Sequence, residues 1–152
     1  MILRILIFLI INFAALGLGG FFTSKGVPSD WYQNLNKAPW TPPGWVFGVA
    51  WSLIMIGFSV YMAYLWEALD NYKWVLPLFI LQWVLNVAWN PVFFYYHHAT
   101  LGLFIIVGLT LVVTFFLVNY WPELKLKSLL IAPYFVWLLI ATSLNAYIVL
   151  KN

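Results

Sequence analysis

The sequence predicts an all-α integral membrane protein: a bundle of five transmembrane helices with a long structured first loop acting as a lid. Three observations predict it. The chain of 152 residues is 65% hydrophobic and only 7% charged, whereas ordinary soluble domains carry about a quarter charged residues. Five apolar runs, about 2–22, 44–66, 74–96, 99–121 and 128–150, are each 21 to 23 residues long, and about 20 helical residues cross a hydrocarbon core of about 30 Å. Nearly every charge falls between those runs: Lys25, Asp30 and Lys37, then Glu67, Asp70 and Lys73, then Glu123, Lys125 and Lys127, and last Lys151.

Each element follows in order. The first run carries Arg4 at its edge, from where a long side chain snorkels to the interface. A basic start before an apolar stretch also describes a signal peptide. This run continues to Phe22 without a clear small-x-small cleavage site, so it is read as a retained span. Residues 23–43 form the first connector, the only long one, and residues 1–152 make a single transmembrane domain. Five spans put the two ends on opposite faces. Lys and Arg number four on one face (Arg4, Lys73, Lys125, Lys127) and three on the other (Lys25, Lys37, Lys151), a difference too small to assign orientation.

Several chemistries are excluded at this level. Zero Cys rules out disulfides and thiolate catalysis. A net charge of +3 spread thinly over loops is no nucleic-acid signal. No Asp, Glu, Lys or His lies mid-span, which disfavours an ion-coupled pump. Adjacent His97 and His98 point about 100° apart on a helix and make a poor metal pair, so no metal site is expected.

What does enter the membrane is amide and indole. Gln82, Asn86 and Asn90 recur at four-residue spacing in the third run, with Trp89 on the same face. Such groups are costly toward lipid and must meet protein, ligand or water. Interhelical hydrogen bonding is the plain alternative to ligand contact. Pro91 frees the carbonyl of Val87 and is expected to bend the helix near a cavity mouth. In the fifth run Tyr134, Trp137, Ala141, Leu144 and Asn145 share a face, and Ala141 leaves room for a neighbouring helix or a flat ligand. In the second run Phe47, Trp51, Met55 and Phe58 form an aromatic and thioether stripe, a pattern that also describes packing core. Three such stripes can enclose an apolar cavity with few hydrogen-bond donors, suited to a large, flat, mostly hydrophobic molecule.

The first connector has the wrong composition for a plain one. WYQNLNKAPWTPPGW, residues 31–45, holds Trp31, Tyr32, Trp40 and Trp45 among Pro39, Pro42 and Pro43. Prolines restrict the backbone and reduce the entropy lost on closing. Aromatic rings with a polar edge suit a pocket mouth at the membrane interface. Tyr32 and Pro42 are therefore expected to face ligand, and Trp45 to start the second helix. Leu144, Tyr147 and Lys151 also match a proposed sterol pattern, a permissive one.

The blocks W-Y-x-x-L-x-K-x-x-W-x-P-P-x-W (31–45), Q-x-x-x-N-x-x-W-x-P-x-F-F (82–94) and P-Y-x-x-W-x-x-x-A-T-x-L-N (133–145) together resemble the translocator protein family, also called tryptophan-rich sensory protein or peripheral-type benzodiazepine receptor. The likeness covers essentially the whole chain. It implies a five-helix bundle, usually a homodimer, whose first loop closes over a pocket for porphyrins, cholesterol and synthetic isoquinoline or benzodiazepine ligands. Family pocket residues carry over onto Tyr32, Pro42, Trp51, Asn86, Trp89, Trp137, Ala141 and Leu144. Bacterial members are associated with light-dependent breakdown of protoporphyrin, and the two tryptophans implicated correspond to Trp51 and Trp137. That chemistry needs light and oxygen and no cofactor. Three departures stand out. The family's Leu-Asn-Tyr reads Leu144-Asn145-Ala146, the loop reads Lys37-Ala38-Pro39-Trp40, and Phe79 and Trp83 stand where some members carry a Gly-x-x-x-Gly dimer face.

From the sequence, then, the expectation is a tetrapyrrole-binding protein in a bacterial cell membrane, with photo-oxidative activity centred on Trp51 and Trp137. The ligand-facing set is Tyr32, Pro42, Phe47, Trp51, Met55, Gln82, Asn86, Trp89, Asn90, Trp137, Ala141 and Leu144. A non-catalytic sensor, carrier or transporter of porphyrin or sterol is the second reading, and a purely structural small membrane protein the third.

Overall fold

A computed structural model describes residues 1–152, all helix and connector with no strand. In chain order the elements are α1 (Ile2–Gly26), the single turn α2 (Asp30–Gln33), α3 (Gly44–Ala68), α4 (Val75–Asn90), α5 (Ala99–Asn119), the single turn α6 (Trp121–Leu124) and α7 (Ala132–Lys151). Five of these, α1, α3, α4 with the turn that follows it, α5 and α7, are long and apolar enough to cross a membrane. The chain is an integral membrane protein.

Spans alternate in direction, so α1, α4 and α7 run one way and α3 and α5 the other. Phe8 meets Phe79 at 5.2 Å between ring centres, and the Trp83 indole donates to the Ile11 carbonyl at 2.9 Å. Higher up, Thr23 reaches Asn90 at 2.8 Å. These contacts fix the parallel register of α1 and α4. Around the bundle α1 packs on α3 and α4, α5 packs on α4 and α7, and α7 returns to α3. Two aromatic pairs, Phe47–Trp137 at 5.5 Å and Trp51–Tyr134 at 5.9 Å, make that last contact.

The half of the bundle away from the first loop is solid. Met55, Phe58, Tyr61, Met62, Phe116 and Leu138 are fully buried there, and the Tyr61 hydroxyl donates to the Phe116 carbonyl at 2.8 Å. Polar groups at mid-depth turn inward and pair, as a low-dielectric surround requires. Asn12 Nδ2 donates to Ser59 Oγ at 2.8 Å, and Gln82 Nε2 to the Tyr134 hydroxyl at 2.7 Å.

Helix ends differ from the sequence expectation where side chains or prolines intervene. α1 runs to Gly26, a turn past Phe22, because Thr23 Oγ1 bonds the Gly19 carbonyl at 3.1 Å and Asn90 Oδ1, and Pro28 follows. After Asn119, Pro122 has no N–H to continue the ladder, and a new single turn starts. Residues Lys125–Leu130 wind as a 3₁₀ helix after Lys125 takes φ 51°, so α7 opens at Ala132, with Pro133 in its first turn where proline is tolerated. At Pro91 the missing N–H does more than bend α4. Pro91–Tyr95 widens into a π-helical turn, with the Tyr96 N–H on the Pro91 carbonyl at 3.0 Å. This widening buries Phe93 and Phe94 and leaves Tyr95 and Tyr96 exposed.

Candidate functional site

The loop-side half of the bundle is hollow. A cavity of about 530 Å³ lies between α1, α3, α4 and α7 beneath the first connector. Its α3 wall is Phe47 and Trp51; its α4 wall is Asn86, Trp89 and Asn90, with Phe93 and Phe94 from the π-helical turn. From α7 come Ala141, Leu144, Asn145 and Ile148, and from the connector Tyr32, Lys37, Thr41 and Pro42. The small side chain of Ala141 is what leaves space beside α7.

The connector is shaped by its own hydrogen bonds. Ser29 caps α2, accepting from the Tyr32 N–H at 3.3 Å. Lys37 Nζ donates to the carbonyls of Tyr32 at 2.9 Å and Gln33 at 3.1 Å, and lies 4.8 Å from the centre of the Tyr32 ring. That ring packs on Phe94 at 5.5 Å. Burial pushes the Tyr32 hydroxyl above the usual phenol range, so it stays protonated at neutral pH. Trp31 stacks on His97 at 4.3 Å, turning away from the cavity, and His97 adopts φ 56°. Trp40 donates from its indole to Ser143 Oγ at 3.1 Å and meets the Tyr147 ring at 5.4 Å.

Most polar groups on the wall are already paired. The Trp89 indole donates to Asn145 Oδ1 at 3.0 Å, and Asn145 Nδ2 donates to the Ala99 carbonyl at 2.8 Å. Asn90 accepts from Thr23 and donates to the Asn86 carbonyl at 3.2 Å. The side-chain amide of Asn86, itself 8% exposed, makes no hydrogen bond within the protein. Asn86 is thus a deep polar group on the wall whose amide is left without a protein partner.

The structure brings together nine of the residues singled out by sequence: Tyr32, Pro42, Phe47, Trp51, Asn86, Trp89, Asn90, Ala141 and Leu144 all line the cavity. Three others lie elsewhere. Met55 is fully buried one turn beyond Trp51, and Gln82 one turn beyond Asn86, bonded to Tyr134. Trp137 is buried behind Phe47, off the wall, with its indole N–H unpartnered. Of the sterol-pattern residues, Leu144 faces the cavity, Tyr147 holds Trp40, and Lys151 is exposed, its backbone carbonyl accepting from Asn36 at 3.2 Å. Trp45 is 71% exposed at the start of α3 and does not line the cavity.

The sequence reading missed α1 as a wall. Ala15, Leu16, Gly19, Gly20, Thr23 and Ser24 line the cavity, and the available signal was the run of glycines and hydroxyls in an otherwise bulky helix. Gly19 lies in close approach to α4: a Cβ there falls 2.5 Å from Asn90 Nδ2, so that amide would have to shift.

Five membrane-crossing helices around an aromatic cavity, roofed by the connector after the first, define the class of protein. The chain belongs to the TspO/MBR family, whose model matches residues 6–150. It is similar to the tryptophan-rich protein TspO of Archaeoglobus fulgidus, 37% identical over 155 aligned residues covering 100% of this chain and 96% of the relative. It is similar to the tryptophan-rich sensory protein of Cereibacter sphaeroides, 32% identical with 78% and 74% covered. The translocator protein of Homo sapiens is 33% identical, with 84% and 80% covered.

Proposed function

We propose that the protein binds tetrapyrroles such as protoporphyrin IX, and related flat hydrophobic molecules, in this cavity and degrades bound porphyrin oxidatively in light. The observation that carries the reading is a cavity of about 530 Å³ beneath the connector, with Phe47, Trp51 and Trp89 on its walls and the buried Asn86 amide free of protein partners. Ligand sites of this kind run about 300–1,000 Å³, mostly apolar with a few placed polar groups. A porphyrin presents apolar faces to Trp51, Phe47 and Trp89. Its propionates would lie at the mouth, near Lys37 and the Tyr32 hydroxyl.

The chemistry asks little of the protein in acids or bases. Light excites the porphyrin, oxygen is the oxidant, and an indole in contact is the side chain best suited to one-electron exchange. Trp51 takes that position, and Trp137 acts one ring back through Phe47. The same pocket accepts flat isoquinoline or benzodiazepine-like molecules, and Leu144 with Tyr147 and Lys151 offers a sterol contact. A homodimer in a bacterial cell membrane completes the reading.

A second reading is a non-catalytic sensor, carrier or transporter for porphyrin or sterol. The enclosed position of Trp137, which puts one of the two indoles out of reach of a ligand, favours it.

Purified protein titrated with protoporphyrin IX in the dark, with tryptophan fluorescence followed, tests the binding common to both. Saturable quenching is expected. Subsequent illumination, with the Soret band followed, separates them: loss of the band with a defined product supports degradation, and dark binding without product leaves the sensor or carrier. Absence of saturable quenching would remove both.

A further inference from the structure

We infer that the cavity is loaded from within the bilayer, through the seam between α1 and α3, and not from water through the connector; this rests on the proposal that the cavity binds a flat apolar ligand. The two routes differ sharply in how they are closed.

The connector is stitched to the end of α7. The Asn36 N–H donates to Asn152 Oδ1 at 2.8 Å, Asn36 Nδ2 donates to the Lys151 carbonyl, and Asn152 Nδ2 returns to the Asn36 carbonyl at 3.2 Å. Trp40 adds its bond to Ser143 and its contact with Tyr147. Ala38, between them, is 4% exposed. Opening this side means breaking all of these together, and each broken bond must find another partner.

The seam between α1 and α3 has nothing comparable. Its one side-chain hydrogen bond, Asn12 to Ser59, lies at mid-depth, and its ion pair, Arg4 to Glu67 at 3.7 Å, lies at the far end. Toward the loop both helices present their smallest residues. Gly20 and Ser24 of α1 and Gly44 and Gly48 of α3 are exposed and line the cavity. A Cβ at Gly20, Gly44 or Gly48 meets nothing within 4 Å. Side chains thus tie the two helices at mid-depth and at the far end but not toward the loop, where the exposed Gly20 and Gly48 lie inside the membrane-crossing helices and face lipid. Across the cavity stands the Asn86 amide, buried and without a partner, a polar end point for a molecule entering from the acyl chains. The ligand class that fits this route is a flat apolar molecule that partitions into the bilayer and carries a hydrogen-bonding group. A free hydrophilic solute does not fit it.

Protein in lipid nanodiscs is mixed with vesicles carrying protoporphyrin IX, and the rate of tryptophan quenching is followed in both directions. Two changes are compared. Gly20→Phe and Gly48→Leu fill the seam. Asn36→Cys with Asn152→Cys, joined by a short bis-maleimide in a chain that has no other Cys, fixes the connector. The seam variants should slow association and dissociation together by about tenfold, the signature of a blocked path; a lost contact would speed dissociation alone. The cross-linked protein should load at the unmodified rate. The milder Gly48→Ala, expected to slow loading less, covers the case in which a bulky variant does not fold. Slowing by the cross-link, or unchanged rates in all seam variants, overturns the seam as the route while leaving binding intact. Absence of equilibrium quenching in the unmodified protein removes the porphyrin reading and the route with it.

Discussion

The indole of Trp89 donates to Asn145 Oδ1 at 3.0 Å, joining α4 to α7 across the cavity wall. Asn145 also donates to the first carbonyl of α5 at 2.8 Å, so one buried amide, 2% exposed, holds three helices. Two residues that look like ligand donors in the sequence are thereby spent on each other. Asn145→Leu should leave the indole N–H unpaired, remove the tie to the Ala99 carbonyl, and destabilise the fold by about 1–2 kcal/mol. Reversible unfolding in mixed micelles measures this; a variant as stable as the parent would contradict the assignment.

Gly19 and Asn90 form a fitted pair. A methyl at Gly19 would fall 2.5 Å from Asn90 Nδ2, and moving that amide breaks its 2.8 Å bond with Thr23. Gly19→Ala is expected to cost about 1–3 kcal/mol, the usual penalty of overpacking. Asn90→Ala in the same chain should recover part of it, giving a positive coupling in a double-mutant cycle. Additive effects would show that the two residues do not share space.

Asn86 is where a hydrogen bond is open. Asn86→Leu should weaken porphyrin binding by about 2- to 10-fold, the worth of one net hydrogen bond, without lowering stability, since no internal partner is orphaned. Equilibrium quenching and unfolding on the same preparation separate the two effects. Loss of stability with unchanged affinity would reverse the assignment.

The Tyr32 hydroxyl has its pKa raised by burial. The sign follows from which state binds the proton more tightly. The folded protein holds the phenol proton above the unfolded value near 10, so the contribution to stability is complete below that value and falls as pH rises from it through the folded value. The 295 nm titration of the parent should therefore exceed that of Tyr32→Phe by the signal of a phenol ionising above the ordinary range. The loop's resistance to proteolysis should be flat from neutral pH to about 9. Loosening in the neutral range would mean another group controls the loop.

Which face of each helix turns inward was legible in the sequence, because amides and indoles at three- and four-residue spacing must avoid lipid. Depth along the helix was not. Gln82 and Asn86 share a stripe, yet the cavity ends at Asn86 and Gln82 meets Tyr134 one turn on. Met55 follows Trp51 in the same way. Periodicity carries no information about where packing closes, since that depends on side chains from other helices. Trp137 illustrates this: its face is correct, but Phe47 stands before it. The α1 wall escaped notice because it is defined by missing side chains at Gly19 and Gly20, which leave no polar or aromatic mark. Pro91 signalled a break in α4 but not its form, because relief by a wider turn instead of a kink depends on Phe93 and Phe94 finding space inside.

In the proposed function Trp51 touches a bound porphyrin and takes part in its photo-oxidation. The most direct measurement is the rate of Soret loss under fixed illumination, with protein saturated by protoporphyrin IX, for the parent, Trp51→Phe and Trp137→Phe. The expected result is a product-forming decay in the parent, slowed about tenfold or more in Trp51→Phe and less in Trp137→Phe, whose ring lies behind Phe47. Equal decay in all three, matching porphyrin free in detergent, would contradict it.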